Sequence, residues 1–177
     1  MKRLLSLITL FTIIISSCAT TKDSSTLQGE SYDEKTNTTT YILVPYGNVE
    51  IPGKWEQTTY NKVSRQQFFV NNESASLAIS KGPKEKYPFY DVKREGFDVV
   101  NDFYVWDSEY WVKKGYSASI IEENKTENYI VWQIQGDSVD NFFLFGLKKN
   151  LIINYMISSK WSRKDKIEFL INLYLDN

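Results

Sequence analysis

The chain contains no histidine and a single cysteine, Cys18, among its 177 residues. Without histidine, the sequence cannot assemble a Ser-His-Asp or Cys-His catalytic triad. Zinc sites built from histidine and cysteine are excluded in the same way, and a lone cysteine cannot form a disulfide within the chain. We therefore expect no cofactor and no metal, and paired carboxyl groups are the general acid–base chemistry that is left.

The single cysteine stands where an N-terminal apolar run stops. Two cations precede the apolar residues 4–15, a run that spans about 18 Å as a helix and is too short for a bilayer core of about 30 Å. Ser16 and Ser17 then lead directly into Cys18. This arrangement resembles the signal peptide and lipobox of bacterial lipoproteins. The resemblance implies removal of residues 1–17 and attachment of fatty acyl chains such as palmitate at Cys18; the alternative is an ordinary secretory signal that contains a cysteine.

A lipidated Cys18 implies a location in the bacterial cell envelope. Two acyl chains give stable anchoring where one gives marginal binding. Ala19, rather than Asp, after the cysteine resembles outer-membrane sorting in some bacteria, so the outer membrane is favoured. The remaining chain carries 19 basic and 22 acidic residues, a net charge of −3, which lacks the positive character of a nucleic-acid-binding domain.

Residues 18–40 are rich in Ser, Thr and charged side chains, with Leu27 and Tyr32 as the large exceptions. Such a segment cannot bury enough apolar surface to offset its chain entropy. We predict that residues 18–40 form a flexible tether. Residues 41–177 then form a single folded domain of ordinary length.

From residue 41 onward, short runs of alternating apolar and polar residues are typical of β-strands. One hairpin is predicted around residues 71–73, with arms at residues 64–70 and 74–80. Four further strands are predicted within residues 117–158. Because short turns join them, these strands must be antiparallel, since parallel neighbours need long crossovers.

Residues 89–113 partly follow helical spacing, but Gly96 interrupts the pattern. We therefore expect one broken helix or two short ones, with Asp91 as a first cap and Asp107 or Ser108 as a second.

A C-terminal helix is predicted after Ser162, which stands three residues before Asp165, as in a capping box. Its apolar stripe, which needs a sheet to pack against, consists of Ile167, Leu170, Ile171 and Tyr174.

An antiparallel sheet with a middle helical segment and a C-terminal helix packed on it belongs to the α+β class. A hairpin that ends in Ile51-Pro52-Gly53-Lys54-Trp55 precedes two strands, the helical middle, the antiparallel strands and the helix after Lys160-Trp161-Ser162. This order resembles the PsbP-like fold, an α/β/α sandwich, over about residues 41–176. Members of that family serve mainly as assembly, binding or scaffolding modules, so the resemblance implies no enzyme and supplies no matched functional residue.

The densest aromatic stretch covers residues 103–111, where Trp and Tyr stand among acidic residues. Such rings are favoured at binding hot spots, and the carboxyl groups among them are suited to orienting a sugar, a peptide or a cation. The alternative is that the rings pack the helix on the sheet and cover its edge. The candidate binding residues are Tyr104, Trp106, Asp107, Glu109, Tyr110 and Trp111.

The acid pairs Glu122–Glu123 and Asp137–Asp140 are the visible groups for acid–base catalysis. A glycosidase needs two carboxyl groups about 5 to 9.5 Å apart across a cleft, whereas successive strand residues point in opposite directions. We therefore interpret both pairs as solvated turn residues.

A run of basic residues follows the predicted hairpin and precedes the aromatic stretch; it consists of Lys81, Lys84 and Lys86. It either touches anionic head groups or belongs to a solvated loop.

Together these patterns predict a membrane-tethered envelope lipoprotein that acts as a non-catalytic binding or scaffold module. Its partner is expected to be an envelope protein or a glycan, not a nucleic acid. One alternative is a carboxylate-dependent glycan hydrolase, which needs two facing acids in a cleft, one with a raised pKa. The other is a carrier of a small apolar ligand, which needs an apolar cavity between helix and sheet.

Overall fold

The computed structural model describes residues 27–177; the signal segment 1–17, Cys18 and residues 19–26 lie outside the described residues. Within this range the chain forms ten β-strands, two α-helices and a short 3-10 turn, which confirms the α+β class. The strands are β1 Leu27–Asp33, β2 Thr38–Val44, β3 Val49–Pro52, β4 Trp55–Asn61, β5 Gln66–Asn71, β6 Ser76–Pro83, β7 Ser117–Asn124, β8 Tyr129–Gly136, β9 Val139–Lys148 and β10 Leu151–Ser158. The helices are α1 Phe97–Lys113 and α2 Arg163–Leu175, and the 3-10 turn is Lys84–Lys86.

The strands form two antiparallel sheets. The larger has seven strands in the order β4-β5-β6-β10-β9-β8-β7, and the smaller contains β1, β2 and β3 in sequence order. The predicted hairpin is β5–β6 and the four predicted C-terminal strands are β7–β10, so both predictions are confirmed. Pairing of β10 with β6 joins these two units into one sheet.

The predicted tether is wrong for residues 27–40, which belong to the folded domain. Strand β1 pairs with β2 along its whole length, from Leu27 opposite Val44 to Asp33 opposite Thr38. This edge strand forms despite its polar composition because β2 supplies its hydrogen-bond partners. Pairing with a neighbouring strand thus overrides a weak strand propensity. At the turn, Asp33 Oδ1 accepts a hydrogen bond from the backbone N–H of Lys35 at 2.9 Å, a common turn device.

The helical region also differs from its prediction, since α1 is a single unbroken helix of 17 residues. Gly96 does not interrupt it but forms its N-cap, with φ +51°, a conformation that glycine adopts without steric cost. Asp107 and Ser108 therefore lie inside the helix instead of capping a second one. Asp91 forms a turn before the helix, where its Oδ1 accepts a hydrogen bond from the backbone N–H of Lys93.

Helix α2 begins as predicted, because Ser162 Oγ accepts a hydrogen bond from the backbone N–H of Asp165 at 3.2 Å. Its buried face is rotated from the predicted stripe, since Ile167 and Ile171 are only half-buried. Lys166 turns inward on the buried face and pairs with Asp140 at 2.9 Å, while Ile167 and Ile171 pack at the margin of the core. The buried residues of the helix are Lys166, Leu170, Leu173 and Tyr174. Neither helix of residues 27–177 is long and apolar enough to cross a membrane.

The seven-stranded sheet carries a hydrophobic core on each face. On one face, α2 and the three-stranded sheet cover it side by side, with Tyr41 and Ile51 of the small sheet reaching the same core as Leu170. On the other face, α1 packs mainly on β7, β8 and β9. There Phe103 stacks on Phe145 with ring centroids 3.8 Å apart. Within residues 27–177, no helix lies directly above the part of this second face that β5, β6 and β10 form.

Candidate ligand-binding site

A cavity of about 790 Å³ opens beside α1 over β5, β6 and β10. Its walls are one flank of α1, the turn between β4 and β5, and residues 86–88. Its size lies within the range of small-molecule sites, about 300 to 1,000 Å³. Within residues 27–177, α1 lies over the β7–β9 half of the sheet, and the chain around Tyr87 borders the cavity over the other half.

The floor of the cavity carries two buried polar residues. Ser80 of β6 and Asn154 of β10 stand directly opposite each other in the sheet, and they are 4% and 7% exposed. Asn154 Oδ1 has no hydrogen-bond partner within residues 27–177. A buried polar atom without a partner costs about 1 to 3 kcal/mol, so this floor is suited to a ligand that donates a hydrogen bond.

Apolar side chains surround the polar pair on the floor. Met156 of β10 lies between Ala78 of β6 and Phe143 of β9 in the sheet. On the other side of Ala78 lies Phe68, which belongs to β5. Phe68, Phe143 and Met156 all line the cavity. A mostly apolar cleft with a few convergent polar groups is the usual composition of a ligand site.

The flank of α1 that faces the cavity is aromatic and partly exposed. Trp106 is 44% and Tyr110 is 51% exposed, and both line the cavity. Phe103, one turn earlier than Asp107, is buried against the sheet. Large rings left at the surface beside a cavity offer contact area that the fold itself does not consume.

The structure divides the six residues predicted from the aromatic stretch. It brings Trp106, Asp107, Tyr110 and Trp111 together in the wall of the cavity. Tyr104 instead packs edge-on against Trp132, with ring centroids 5.4 Å apart. Glu109 is exposed away from the cavity and pairs with Lys113 on the same helix at 3.6 Å. Four of the six predicted residues thus face the cavity, and the other two pack on the sheet or face solvent.

Asp107 is the only carboxyl group among the described residues that line this cavity. Burial raises its pKa to about 6, and a hydrogen bond with Trp111 partly opposes that rise. An acid with a raised pKa in a cleft has the character of a proton donor. A glycosidase, however, needs a second carboxyl group about 5 to 9.5 Å away, and no other acid lines the cavity within residues 27–177.

The acid pairs named from the sequence lie elsewhere. Glu122 and Glu123 are exposed on the edge strand β7, where a bulge lies between Ile120 and Glu122. Glu122 accepts a hydrogen bond from the hydroxyl of Tyr129. Neither glutamate lines the cavity beside α1.

Asp140 belongs to a polar cluster on the opposite face of the sheet, and Asp137 is exposed in the turn before it. Partial burial opposes ionisation of Asp140, but hydrogen bonds from Lys166 and Gln133 hold its pKa below the usual range. Its role is structural, since it neutralises a buried lysine. Within the described part of the chain, no group of three acidic or metal-ligating side chains is arranged to hold a metal ion.

A second cavity, of about 680 Å³, adjoins the first. The two share Arg65, Ser80, Lys86 and Tyr87 in their walls. Of the predicted basic run, Lys81 and Lys86 line the second cavity, and Lys84 does not. Lys62 and Arg65, which sequence reasoning missed, join them from the turn between β4 and β5. Their only signal in the sequence is their position in a polar stretch between two strands.

No protein-family model matches the chain, and no curated protein matches its sequence. Among solved structures, the chain is similar to cyanobacterial PsbP (CyanoP) from Synechocystis sp. PCC 6803, determined in solution. The identity is 12%, the TM-score is 0.45, and the match covers 84% of this chain and 89% of that one. This likeness is too remote to carry an argument about the function of the present chain.

Proposed function

We propose that the protein is a membrane-tethered lipoprotein of the cell envelope whose PsbP-like α+β domain binds a small, partly apolar ligand without catalysis. The observation that carries the binding proposal is the cavity beside α1. Its wall exposes Trp106 and Tyr110, and its floor holds Asn154 Oδ1, which has no partner among the described residues. Both features cost stability in the unliganded protein, because exposed rings and unpaired buried polar atoms are unfavourable.

A small ligand explains the cavity better than a protein partner does. Protein interfaces are broad and place their aromatic anchors on an accessible patch, whereas these groups line a concave site with a polar floor. The ligand would stack an apolar part on the α1 rings and donate a hydrogen bond to Asn154. Among the functions considered, this arrangement favours a carrier or sensor of a small ligand over a scaffold.

The hydrolase alternative has one observation in its favour, the raised pKa of Asp107. A single carboxyl group can hydrogen-bond a ligand but cannot supply both the acid and the base or nucleophile of glycoside hydrolysis. Binding without catalysis is therefore the better proposal.

The membrane tether rests on the sequence around Cys18 and is tested separately. In the exporting bacterium, we expect Cys18→Ser to block processing and to abolish partition of the mature protein into the detergent phase of a Triton X-114 extraction. Ser17→Thr, which leaves the cysteine in place, is the control. Unchanged processing and partition in the Cys18→Ser variant would remove the lipid anchor from the proposal.

The cavity is tested with a photoreactive probe on the full chain in nanodiscs of phosphatidylcholine. The probe is an uncharged dodecanol analogue with a diazirine in its tail, and labelled peptides are mapped by mass spectrometry. We expect labels on α1 and β10. Trp106→Ala combined with Tyr110→Ala should reduce labelling at least about tenfold, which corresponds to about 1.4 kcal/mol of binding free energy.

Val105→Ala combined with Val112→Ala is the matched control. These valines lie on the same helix, are 43% and 56% exposed, and do not line the cavity. The control variant should label like the wild type. Equal labelling of all three proteins, or labels distributed evenly along the chain, would overturn the binding proposal.

A further inference from the structure

The second cavity concentrates positive charge without any compensating acid. Four cations from three segments line it, and no aspartate or glutamate does so within the described residues. The five ion pairs of residues 27–177 involve none of these cations. The four cations are Lys62, Arg65, Lys81 and Lys86.

The hydrogen-bond partners of Lys81 and Lys86 are neutral. Lys81 Nζ donates to the backbone carbonyl of Asn48, and Lys86 Nζ donates to the Tyr46 hydroxyl, both at 3.4 Å. Burial lowers the pKa of Lys81, and repulsion from Lys148 and Lys149, which do not line the cavity, lowers it further. Within residues 27–177, no acid therefore offsets the charges in this cavity. An anion placed among the four cations would be attracted by all of them.

Tyrosine hydroxyls add neutral hydrogen-bond donors to the same wall. Tyr41, Tyr60 and Tyr87 line the second cavity. Burial raises the pKa of Tyr41, and burial also raises that of Tyr87 despite an opposing contact with Ser80. Both phenols therefore stay protonated at neutral pH and can donate to an oxyanion, as the cations can.

The two cavities meet at Arg65, Lys86 and Tyr87, which belong to both walls. One end of the combined cleft is thus aromatic and apolar, and the other end is cationic. A ligand that fills both ends must carry an apolar part and a negative group. A free anion would leave the rings of α1 unused, and a neutral apolar molecule would leave the cations unpaired.

We infer that the ligand is an amphiphile with an oxyanion head, a phosphate or a carboxylate, held by Arg65 and Lys86 with its apolar tail along α1. This inference rests on the proposed function, since it assigns the second cavity to the head of the same ligand. Guanidinium and ammonium groups bind phosphate and carboxylate through charge-assisted hydrogen bonds, which are about twice as strong as neutral ones.

The test is competition against the uncharged photoprobe, with the full chain in phosphatidylcholine nanodiscs. The competitors are dodecyl phosphate, dodecanol and dodecyltrimethylammonium, which share one tail, and inorganic phosphate, which has none. We expect dodecyl phosphate to compete at least about tenfold better than dodecanol, a factor equal to about 1.4 kcal/mol. Dodecyltrimethylammonium should compete least well, and inorganic phosphate should not displace the probe.

Two double variants separate head recognition from tail recognition. In Arg65→Gln with Lys86→Gln, dodecyl phosphate should lose its advantage, and dodecyl phosphate and dodecanol should compete equally. Lys113→Gln with Lys164→Gln removes the same charge from exposed lysines outside both cavities, and this control should keep the full preference for phosphate.

Each other outcome has a distinct meaning. Equal competition by dodecyl phosphate and dodecanol in the wild type would overturn the inference and leave the proposed function standing, whereas absence of probe labelling would overturn both. Displacement by inorganic phosphate alone would assign the cations to a free anion and overturn the amphiphile. Sedimentation with phosphatidylglycerol vesicles that depends on Arg65 and Lys86, without competition by dodecyl phosphate, would assign them to a bilayer surface and overturn it as well.

Discussion

The two faces of the seven-stranded sheet are covered in different ways. On the face of α2, a second sheet fills the area that the helix leaves free. There Lys166 pairs with Asp140 and Arg163 donates to Gln133, while the buried hydroxyl of Tyr155 has no hydrogen-bond partner within residues 27–177. On the face of α1, the described part of the chain supplies no second layer for the remaining area. Asn154 Oδ1 is buried there with no partner among residues 27–177, and Trp106 is half exposed.

The comparison shows that this fold can close a face of the sheet completely when its sequence provides the layer. Gly146 illustrates how closely the closed face is packed, because the ring of Tyr174 occupies the space where a side chain would begin. The open face is therefore not a consequence of a poorly packed protein. We interpret it as a binding surface whose residues are kept at a cost in stability, as is common at functional sites.

The largest expected effect separates the two roles of aromatic residues on α1. Phe103→Ala should reduce the free energy of unfolding by about 4 kcal/mol, because a buried ring is lost and a cavity remains. Trp106→Ala should reduce it by less than about 1 kcal/mol, as for an exposed side chain. Urea denaturation followed by circular dichroism measures both. Similar losses for the two variants would mean that Trp106 belongs to the core.

The closed face should respond strongly to a single added methyl group. Gly146→Ala forces the ring of Tyr174 to move and should cost about 3 kcal/mol. It would also strain the hydrogen bond from the Tyr174 hydroxyl to the backbone carbonyl of Glu127, which is 2.7 Å long. Gly29→Ala is the control, since a methyl group there meets nothing within 4 Å. Equal thermal unfolding of both variants would contradict the tight packing of this face.

Polar-to-apolar substitutions should have opposite signs on the two faces. Asn154→Leu removes a buried Oδ1 that has no partner within residues 27–177 and should raise the free energy of unfolding by about 1 kcal/mol. Gln133→Met breaks satisfied hydrogen bonds and should lower the free energy of unfolding by about 1 to 2 kcal/mol. The Asn154→Leu variant should also lose photolabelling in the cavity. If Asn154→Leu destabilises the protein as much as Gln133→Met does, the amide has a structural partner and the open face is not specialised.

The smallest effect concerns the acid in the cavity wall. Since burial raises the pKa of Asp107 from 3.8 to about 6, the folded protein holds this proton more tightly than the unfolded chain does. The preference of the folded protein for protonated Asp107 therefore contributes fully to stability at pH values below the unfolded pKa. This contribution is lost as the pH rises through about 6. Asp107→Asn removes that loss.

At pH 8 the Asp107→Asn variant should be more stable than the wild type by about 1 kcal/mol, with partial solvent access taken into account. The difference should shrink toward pH 4. Glu109→Gln, at an exposed position two residues further along the helix, should show little pH dependence. A wild type and an Asp107→Asn variant with parallel stability profiles between pH 4 and 8 would mean that the carboxyl group is solvated.

Local patterns predicted the elements whose causes are local. The alternating arms around residues 71–73 correctly indicated the β5–β6 hairpin, and Ser162 correctly marked the start of α2. Strand β1 was missed because its pairing with β2, not its composition, makes it a strand. The turn chemistry of Asp33 was the available signal.

The candidate site was only half predictable for the same reason. Its α1 wall comes from one aromatic stretch, so Trp106 and Tyr110 were found together. Its floor requires the pairing of β10 with β6, which places Asn154 opposite Ser80 across a separation of more than seventy residues. The cations of the second cavity likewise come from three segments, and no local pattern brings Lys62 and Arg65 next to Lys81.

The most direct test of the comparison is to map the uncharged photoprobe on the two helices of one sample. We expect the label on the α1 peptide that contains Trp106 and Tyr110, and at most about a tenth as much on the α2 peptide, since a tenfold preference corresponds to about 1.4 kcal/mol. Equal labelling of the two helices would contradict the claim that one face of the sheet is closed and the other is built to bind a ligand.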